Sequence, residues 1–296
     1  MFAQCEICGR NSWQTIYHGP VRDGTFGDSL SEGTVARCTG CGVERLAECH
    51  CPPDSSYESE EYRAKLKQGL DAPSYLKLHD EFQIFTLSQI WPKNLRGQTI
   101  ADIGCAGGSF LDHINGLSDR LVAVEPCSIY HEDLNKRGYA VYPYARDATA
   151  DLAGQVDLAV SLQVIEHTRN PREFLEDIRP LLKRSGLLVI STPNRDDILN
   201  TLLPTDFGSF FYRVVHRWYF DRQSLDECAR MAGYQVLESR HVHRYGMSNA
   251  LAWLRDRKPT GQWRLDGISP LADALWRGYL EETGQADTVY SFLAPV

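Results

Sequence analysis

The sequence predicts an α/β protein, with a mostly parallel seven-stranded sheet, helices on both faces, and a small cysteine-bearing module ahead of it. Three observations predict this. From about residue 98 onward, short apolar runs alternate with amphipathic stretches of helix length, the alternation that buries both faces of a parallel sheet. The run Gln98–Ile103 passes straight into Gly104-Cys-Ala-Gly-Gly108, a buried strand turning tightly into a helix. Two Cys-x-x-Cys pairs fall within the first 41 residues.

The cysteine pairs define the first element. Cys5-x-x-Cys8 and Cys38-x-x-Cys41 are each followed by a glycine, Gly9 and Gly42, which frees the backbone to fold around a thiolate cage. The pattern predicts one structural Zn2+ on Cys5, Cys8, Cys38 and Cys41, in a zinc-ribbon-like module over 1–52. A short hairpin is expected between the pairs. Cys49-His50-Cys51 is the alternative ligand source and is not preferred. Pro52-Pro-Asp-Ser-Ser56 marks the exit from the module. Residues 53–95 read as a linker and a helix. The first part, with Tyr57, Glu58, Glu60, Glu61, Tyr62, Arg63, Lys65 and Lys67, looks solvated. Apolar residues at 75, 78, 82, 85, 87 and 90 then predict an amphipathic helix from Pro73 to Trp91, ending before Pro92.

Residues 96–296 form the predicted sheet domain. Strands are expected near 98–103, 120–125, 139–142, 156–162, 187–192, 234–243 and 288–294, and helices near 108–116, 127–137, 171–183 and 222–232. Bulk properties narrow the function classes. The net charge of −8 argues against a nucleic-acid partner, which calls for a basic face. No apolar run approaches the ~18 residues of a membrane span. The N-terminus carries neither basic nor apolar leader character. Nine cysteines is a high count for a cytosolic chain; with no leader visible a cytoplasmic setting is expected, where the paired cysteines read as a metal site rather than as disulfides.

The glycine turn carries the chemistry. Glycines let backbone N–H groups approach a ligand closely. The second strand ends Val122-Ala-Val-Glu125-Pro126, and Glu125 follows Gly104 by 21 positions, near the ~20 at which an acid takes ribose hydroxyls. A dinucleotide fingerprint would need glycines where Ala106 and Ser109 stand, so a nicotinamide dinucleotide fits poorly. Asp102-Ile-Gly104-Cys105-Ala106-Gly107-Gly108 instead resembles the first motif of class I S-adenosylmethionine (SAM) methyltransferases, D-x-G-x-G-x-G, departing from it at Ala106. A second dense segment, Val156 to Pro171, ends an apolar strand in adjacent Glu166 and His167. In an open α/β sheet these stand at the same crevice as the glycine turn. An imidazole there suits proton abstraction near neutral pH, oriented by the neighbouring carboxylate.

Downstream, Ser191-Thr-Pro-Asn194 and His216-Arg-Trp-Tyr-Phe-Asp-Arg-Gln-Ser-Leu225 resemble segments of the SAM methyltransferase group that includes ubiquinone-biosynthesis and deoxysugar methyltransferases. The cysteine module resembles the zinc-binding N-terminal domain of bacterial sugar methyltransferases. The resemblance implies a Rossmann-like class I methyltransferase fold and a SAM cofactor. Asp102, Gly104, Cys105, Ala106 and Gly108 would hold its methionine end and nearby ribose, Glu125 and Pro126 the ribose hydroxyls, Asp147 and Ala148 the adenine edge, and Ser161, Leu162 and Gln163 the wall near the sulfonium. His167 is the expected base, helped by Glu166, with His216 as second candidate. Quinone O-methyltransferases of this group can carry a metal-binding Glu where Gln163 stands, so a tight catalytic metal is not expected. Sugar C-methyltransferases carry an added C-terminal domain, which is not read in this sequence, so C-methylation by that full architecture is not expected. The implied reaction is methyl transfer to oxygen or nitrogen of a small, polar, sugar-like substrate. Residues 240–259, rich in His, Arg, Tyr and Trp, are the expected substrate-facing insertion. A quinone or phenol acceptor, RNA, and a SAM-sensing binding protein are the alternatives.

Overall fold

The computed structural model describes residues 2–25, 29–67, 69–90, 95–262 and 264–296. They divide into two compact units. One comprises Met1–Cys51, Ser191–Glu227 and Glu238–Ser291; the other comprises Pro52–Ile190, Cys228–Leu237 and Phe292–Val296.

The chain opens with a hairpin set between the two cysteine pairs. Strands β1 (Trp13–Arg22) and β2 (Leu30–Cys38) run antiparallel, with Trp13 opposite Cys38, and β3 (Glu44–Leu46) adds to β2. The hairpin is longer than the sequence suggests, with strands of ten and nine residues.

The second unit begins with the connector. A 3-10 turn, Asp54–Glu58, is followed by helix α1 (Glu60–Lys65), capped where the Ser59 hydroxyl accepts the Tyr62 N–H, and by α2 (Ala72–Ile90). Trp91 and Pro92, expected to close that helix, lie outside the described residues. Then come β4 (Thr99–Ile103), α3 (Ser109–Ile114), β5 (Arg120–Val124), α4 (His131–Lys136), β6 (Ala140–Tyr142), α5 (Ala145–Leu152), β7 (Val156–Leu162) and α6 (Pro171–Ile178). Strands β4, β5, β6 and β7 pair in parallel. Their apolar residues are almost wholly buried, from Ile100 and Ala101 through Val122, Ala123, Ala159 and Val160, as strands covered on both faces require.

The helix expected over 171–183 stops at Ile178. Pro180 lacks the N–H that would continue the helical ladder, so 179–181 form a 3-10 turn and β8 (Leu182–Pro193) starts earlier than predicted. The helix expected over 127–137 likewise splits into a 3-10 turn, Ser128–Tyr130, and α4.

The remaining elements are α7 (Ile198–Leu202), α8 (Asp206–Phe211), β9 (Trp218–Tyr219), α9 (Arg222–Met231), β10 (Tyr234–Val242), α10 (Met247–Asp256), α11 (Pro270–Thr283) and β11 (Thr288–Pro295). The large sheet has the order β10-β11-β8-β7-β4-β5-β6, and the small one β1-β2-β3-β9. Strand β9 pairs with β3, Glu44 opposite Tyr219 and Arg45 opposite Trp218. The compact unit holding the cysteine segment therefore takes in much more than residues 1–52. Its core packs Val21, Val35 and Leu46 against Leu199, Leu203, Phe207, Phe211, Tyr219 and Trp253. Arg195 ties the two stretches further, donating to Gly42 O at 2.7 Å and Glu44 Oε1 at 3.0 Å.

Candidate active site

The turn after β4 is shaped by what its residues cannot carry. Gly104 has φ +87°, and a Cβ there would lie 2.5 Å from Val164 Cγ2; one on Gly107 would lie 2.5 Å from the Tyr75 ring. Substitution at either position would drive a side chain into packed atoms. Ala106 sits at φ +45°, in the left-handed region where the motif has glycine. Arg137 ties the turn down, donating to Gly107 O at 2.6 Å and to the Asp112 carboxylate at 2.8 Å.

Two carboxyl groups face this turn. Asp102, at the end of β4, is 4% exposed, and burial followed by the charge of Glu125 pushes it up to about 8. Glu125, just past β5, is fully buried. Its Oε2 accepts the Ala106 N–H at 2.8 Å, and its Oε1 accepts the Cys127 N–H at 2.8 Å and Arg63 Nη2 at 3.0 Å. The predicted ribose acceptor is therefore held by the motif loop itself and by α1. Arg63, expected on a solvated face, has a side chain only 13% exposed. Its guanidinium lies 5.7 Å from the Tyr130 ring, whose hydroxyl donates to Gly69 O at 2.8 Å.

Strand β7 brings up the third group of predicted residues. The Ser161 hydroxyl is buried with no hydrogen-bond partner among the described residues. Gln163 has φ +59°. The following 3-10 turn, Ile165–His167, carries the Glu–His pair. Glu166 is 1% exposed, and its Oε1 lies 4.0 Å from His167 Nε2. The His167 ring meets Tyr57 edge-on, centroids 5.5 Å apart. Asn170 and Pro171 start α6 immediately afterwards; the Asn170 side chain accepts the N–H groups of Arg172 and Glu173.

A family model described as a methyltransferase domain matches residues 79–239, which span Asp102, Glu125, Glu166 and His167. The chain belongs to this methyltransferase family. It is 30% identical over 187 residues to the ubiquinone biosynthesis O-methyltransferase of Roseobacter denitrificans, covering 60% of this chain and 71% of that protein. The mitochondrial ubiquinone biosynthesis O-methyltransferase of Schizosaccharomyces pombe is 28% identical over 127 residues, covering 40% of this chain and 46% of that one. The chain thus spans less than half the length of the yeast relative. A SAM-dependent methyltransferase structure from Thermotoga maritima shares the fold, with a TM-score of 0.52 at 17% identity, covering 81% of this chain and 97% of that one. The protein is a SAM-dependent methyltransferase with the Rossmann-like fold of the class.

In the methyltransferase, the remaining predicted residues are distributed as follows. Cys105, Pro126, Leu162 and Gln163 flank the same turns as Gly104, Glu125 and Ser161. Asp147 and Ala148 fall in the first turn of α5, a helix not expected from the sequence; Asp147 is exposed and Ala148 buried. His216 belongs to the other compact unit, where it is 5% exposed and its Nε2 lies 3.4 Å from Arg213 Nη1. Residues 240–259, also in that unit, contain the end of β10 and all of α10.

The four cysteines converge. Sγ of Cys5 and Cys41 are 3.7 Å apart, those of Cys8 and Cys38 3.5 Å, and all four lie within 4.8 Å of one another. Thiolates held ~2.3 Å from a tetrahedral Zn2+ would be about 3.8 Å apart, so the donor set suits zinc. Gly9 N–H donates to Cys5 O at 2.8 Å and Gly42 N–H to Cys38 O at 3.0 Å, closing a matching turn at each pair. Cys49 is exposed, and the Cys51 thiol points to the carbonyls of Leu46 and Ala47; neither belongs to the cluster.

Arg63, Tyr75 and Arg137 were not among the predicted site residues. The signal for Arg63 was its aromatic flank, Tyr57 and Tyr62, in a stretch whose charge reads as solvated. Nothing local marks Tyr75 or Arg137, whose roles come from distant backbone.

Proposed function

We propose that this methyltransferase transfers the SAM methyl group to a hydroxyl of a small molecule, with His167 as the base. The observation that carries this reading is the buried Glu166 beside the His167 imidazole, on the turn that follows β7 and within the family match. In this reading Asp102 faces the ammonium of the cofactor's methionine and Glu125 its ribose. The Gly104 and Gly108 turn gives the cofactor close backbone approach, Ser161 and Gln163 wall the reacting end, and Asp147 and Ala148 edge the adenine. The Ser161 hydroxyl, buried with no hydrogen-bond partner among the described residues, supports a bound group beside this turn. SAM, when bound, supplies a methyl group already activated on sulfur. The protein then has to align the acceptor oxygen and remove its proton. His167 accepts that proton, and the Glu166 carboxylate, 4.0 Å from its Nε2, offsets the imidazolium charge.

The relatives named for quinone biosynthesis favour a phenol-type hydroxyl, and the Tyr57 ring against His167 would give such a ring an aromatic wall. The cysteine cluster, which resembles the module of sugar methyltransferases, supports a sugar-like acceptor as the second reading. We also propose that Cys5, Cys8, Cys38 and Cys41 hold one structural Zn2+. Methyl transfer from labelled SAM to a panel of catechols and nucleotide sugars discriminates the acceptors. His167→Ala should lower turnover by about 10²–10⁴-fold while leaving SAM affinity nearly unchanged. Near-normal turnover of that variant would remove His167 as the base.

A further inference from the structure

We propose that Arg63 and the cofactor ribose are alternative donors to Glu125, so that Arg63 on α1 gates cofactor binding. The inference rests on the reading of Glu125 as the ribose acceptor. A carboxylate offers about four acceptor sites, two on each oxygen. In Glu125 both sites on Oε1 are taken, by the Cys127 N–H and Arg63 Nη2, and one site on Oε2 is taken by the Ala106 N–H. Among the described residues one site remains, and a ribose diol brings two donors. The two backbone donors come from the motif loop and the residues just after β5, so they are fixed by the fold. Arg63 is the donor that can leave, because it reaches Glu125 on a side chain from a six-residue helix far away in sequence.

The surroundings of Arg63 suit a latch. Its guanidinium lies 5.5 Å from the Tyr62 ring and 5.7 Å from Tyr130, and with side chains only 13% and 1% exposed the ion pair is screened from water. Breaking such a pair without replacing it strands a buried carboxylate. The exchange is therefore favourable only when ribose hydroxyls arrive as Arg63 leaves. The same segment carries Tyr57, which meets His167, and Glu58, whose carboxylate accepts the Tyr144 hydroxyl. Release of Arg63 thus loosens the stretch that packs on the proposed base, coupling cofactor arrival to the reacting end of the site.

The test uses calorimetric titration of the full chain with adenosine, which carries the diol but no methionine, and with 2′,3′-dideoxyadenosine, which lacks it. In Arg63→Met, adenosine should bind about tenfold more tightly, the value of one charge-assisted hydrogen bond no longer competing. The dideoxy analogue should gain nothing. Arg63→Lys serves if the methionine variant does not fold; its compact, more strongly hydrated ammonium cannot reproduce the planar fork, and the diol-dependent gain should persist in smaller form. Unchanged or weaker adenosine binding in a folded Arg63 variant, or an equal gain for both nucleosides, would overturn the gate. Wild-type protein that binds neither adenosine nor SAM would instead overturn the reading of Glu125.

Discussion

Asp102 is the residue whose chemistry is most exposed to test. Its carboxyl is raised from 3.8 to about 8, first by burial and then by Glu125. A carboxyl with a raised folded-state value stabilises the fold below its unfolded value, and that contribution is lost as pH rises through about 8. A cofactor ammonium beside it would favour the ionised form. SAM binding near pH 7 should therefore release a proton, and affinity should rise with pH and level off above about 8. Calorimetry in two buffers of different ionisation enthalpy reads that proton directly. Equal heats in both would show that Asp102 does not face the ammonium. Asp102, Gly104 and Glu125 come to one turn as their spacing predicts, because that spacing follows from the strand–turn–helix geometry. Arg63 could not, because a charged residue in a charged run gives no local sign of a partner 62 positions away.

Elements were legible wherever local chemistry decides them. The period-two and apolar runs located all seven strands of the large sheet, and Asn170-Pro171 is a readable helix start. There the Asn170 side chain accepts two N–H groups, so Asn170→Ala should lower stability by about 1 kcal/mol, measurable by urea denaturation. No loss would show that the cap is replaced by solvent. Ala106 is the converse case. Its φ of +45° costs a side-chain-bearing residue roughly 1 kcal/mol, part of which glycine returns as unfolded-chain entropy. Ala106→Gly should therefore leave stability within about 1 kcal/mol of the parent and SAM binding intact. A large loss would mean that the alanine methyl is itself packed. Pro180 was visible in the sequence, and its consequence, a helix cut at Ile178, follows from its missing N–H. Helices α5, α7, α8, α10 and α11 were not expected; α5 buries Ala145, Ala148 and Leu152 on one face, but two of the three are alanines, too small to stand out as an apolar stripe.

At the scale of the molecule, the interleaving of the two units was not legible. A two-residue strand, Trp218–Tyr219, joins β3 across more than 170 positions, and no local pattern announces such a pairing. The consequence can be measured. If Cys5, Cys8, Cys38 and Cys41 hold zinc, chelation should destabilise the unit that also contains 191–227 and 238–291, while SAM binding by residues of the other unit survives. Metal analysis should give one zinc per chain, and its absence from carefully purified protein would remove the site. Family membership follows from the match over 79–239; the acceptor does not, because it is chosen by side chains that differ among methyltransferases sharing the fold. The central claim is that Glu125 anchors the cofactor. Calorimetric titration of SAM into wild type and Glu125→Ala tests it most directly. Loss of two charge-assisted hydrogen bonds, at about 1.5–3 kcal/mol each, should weaken binding well over tenfold. Unchanged affinity in a folded Glu125→Ala protein would contradict the account.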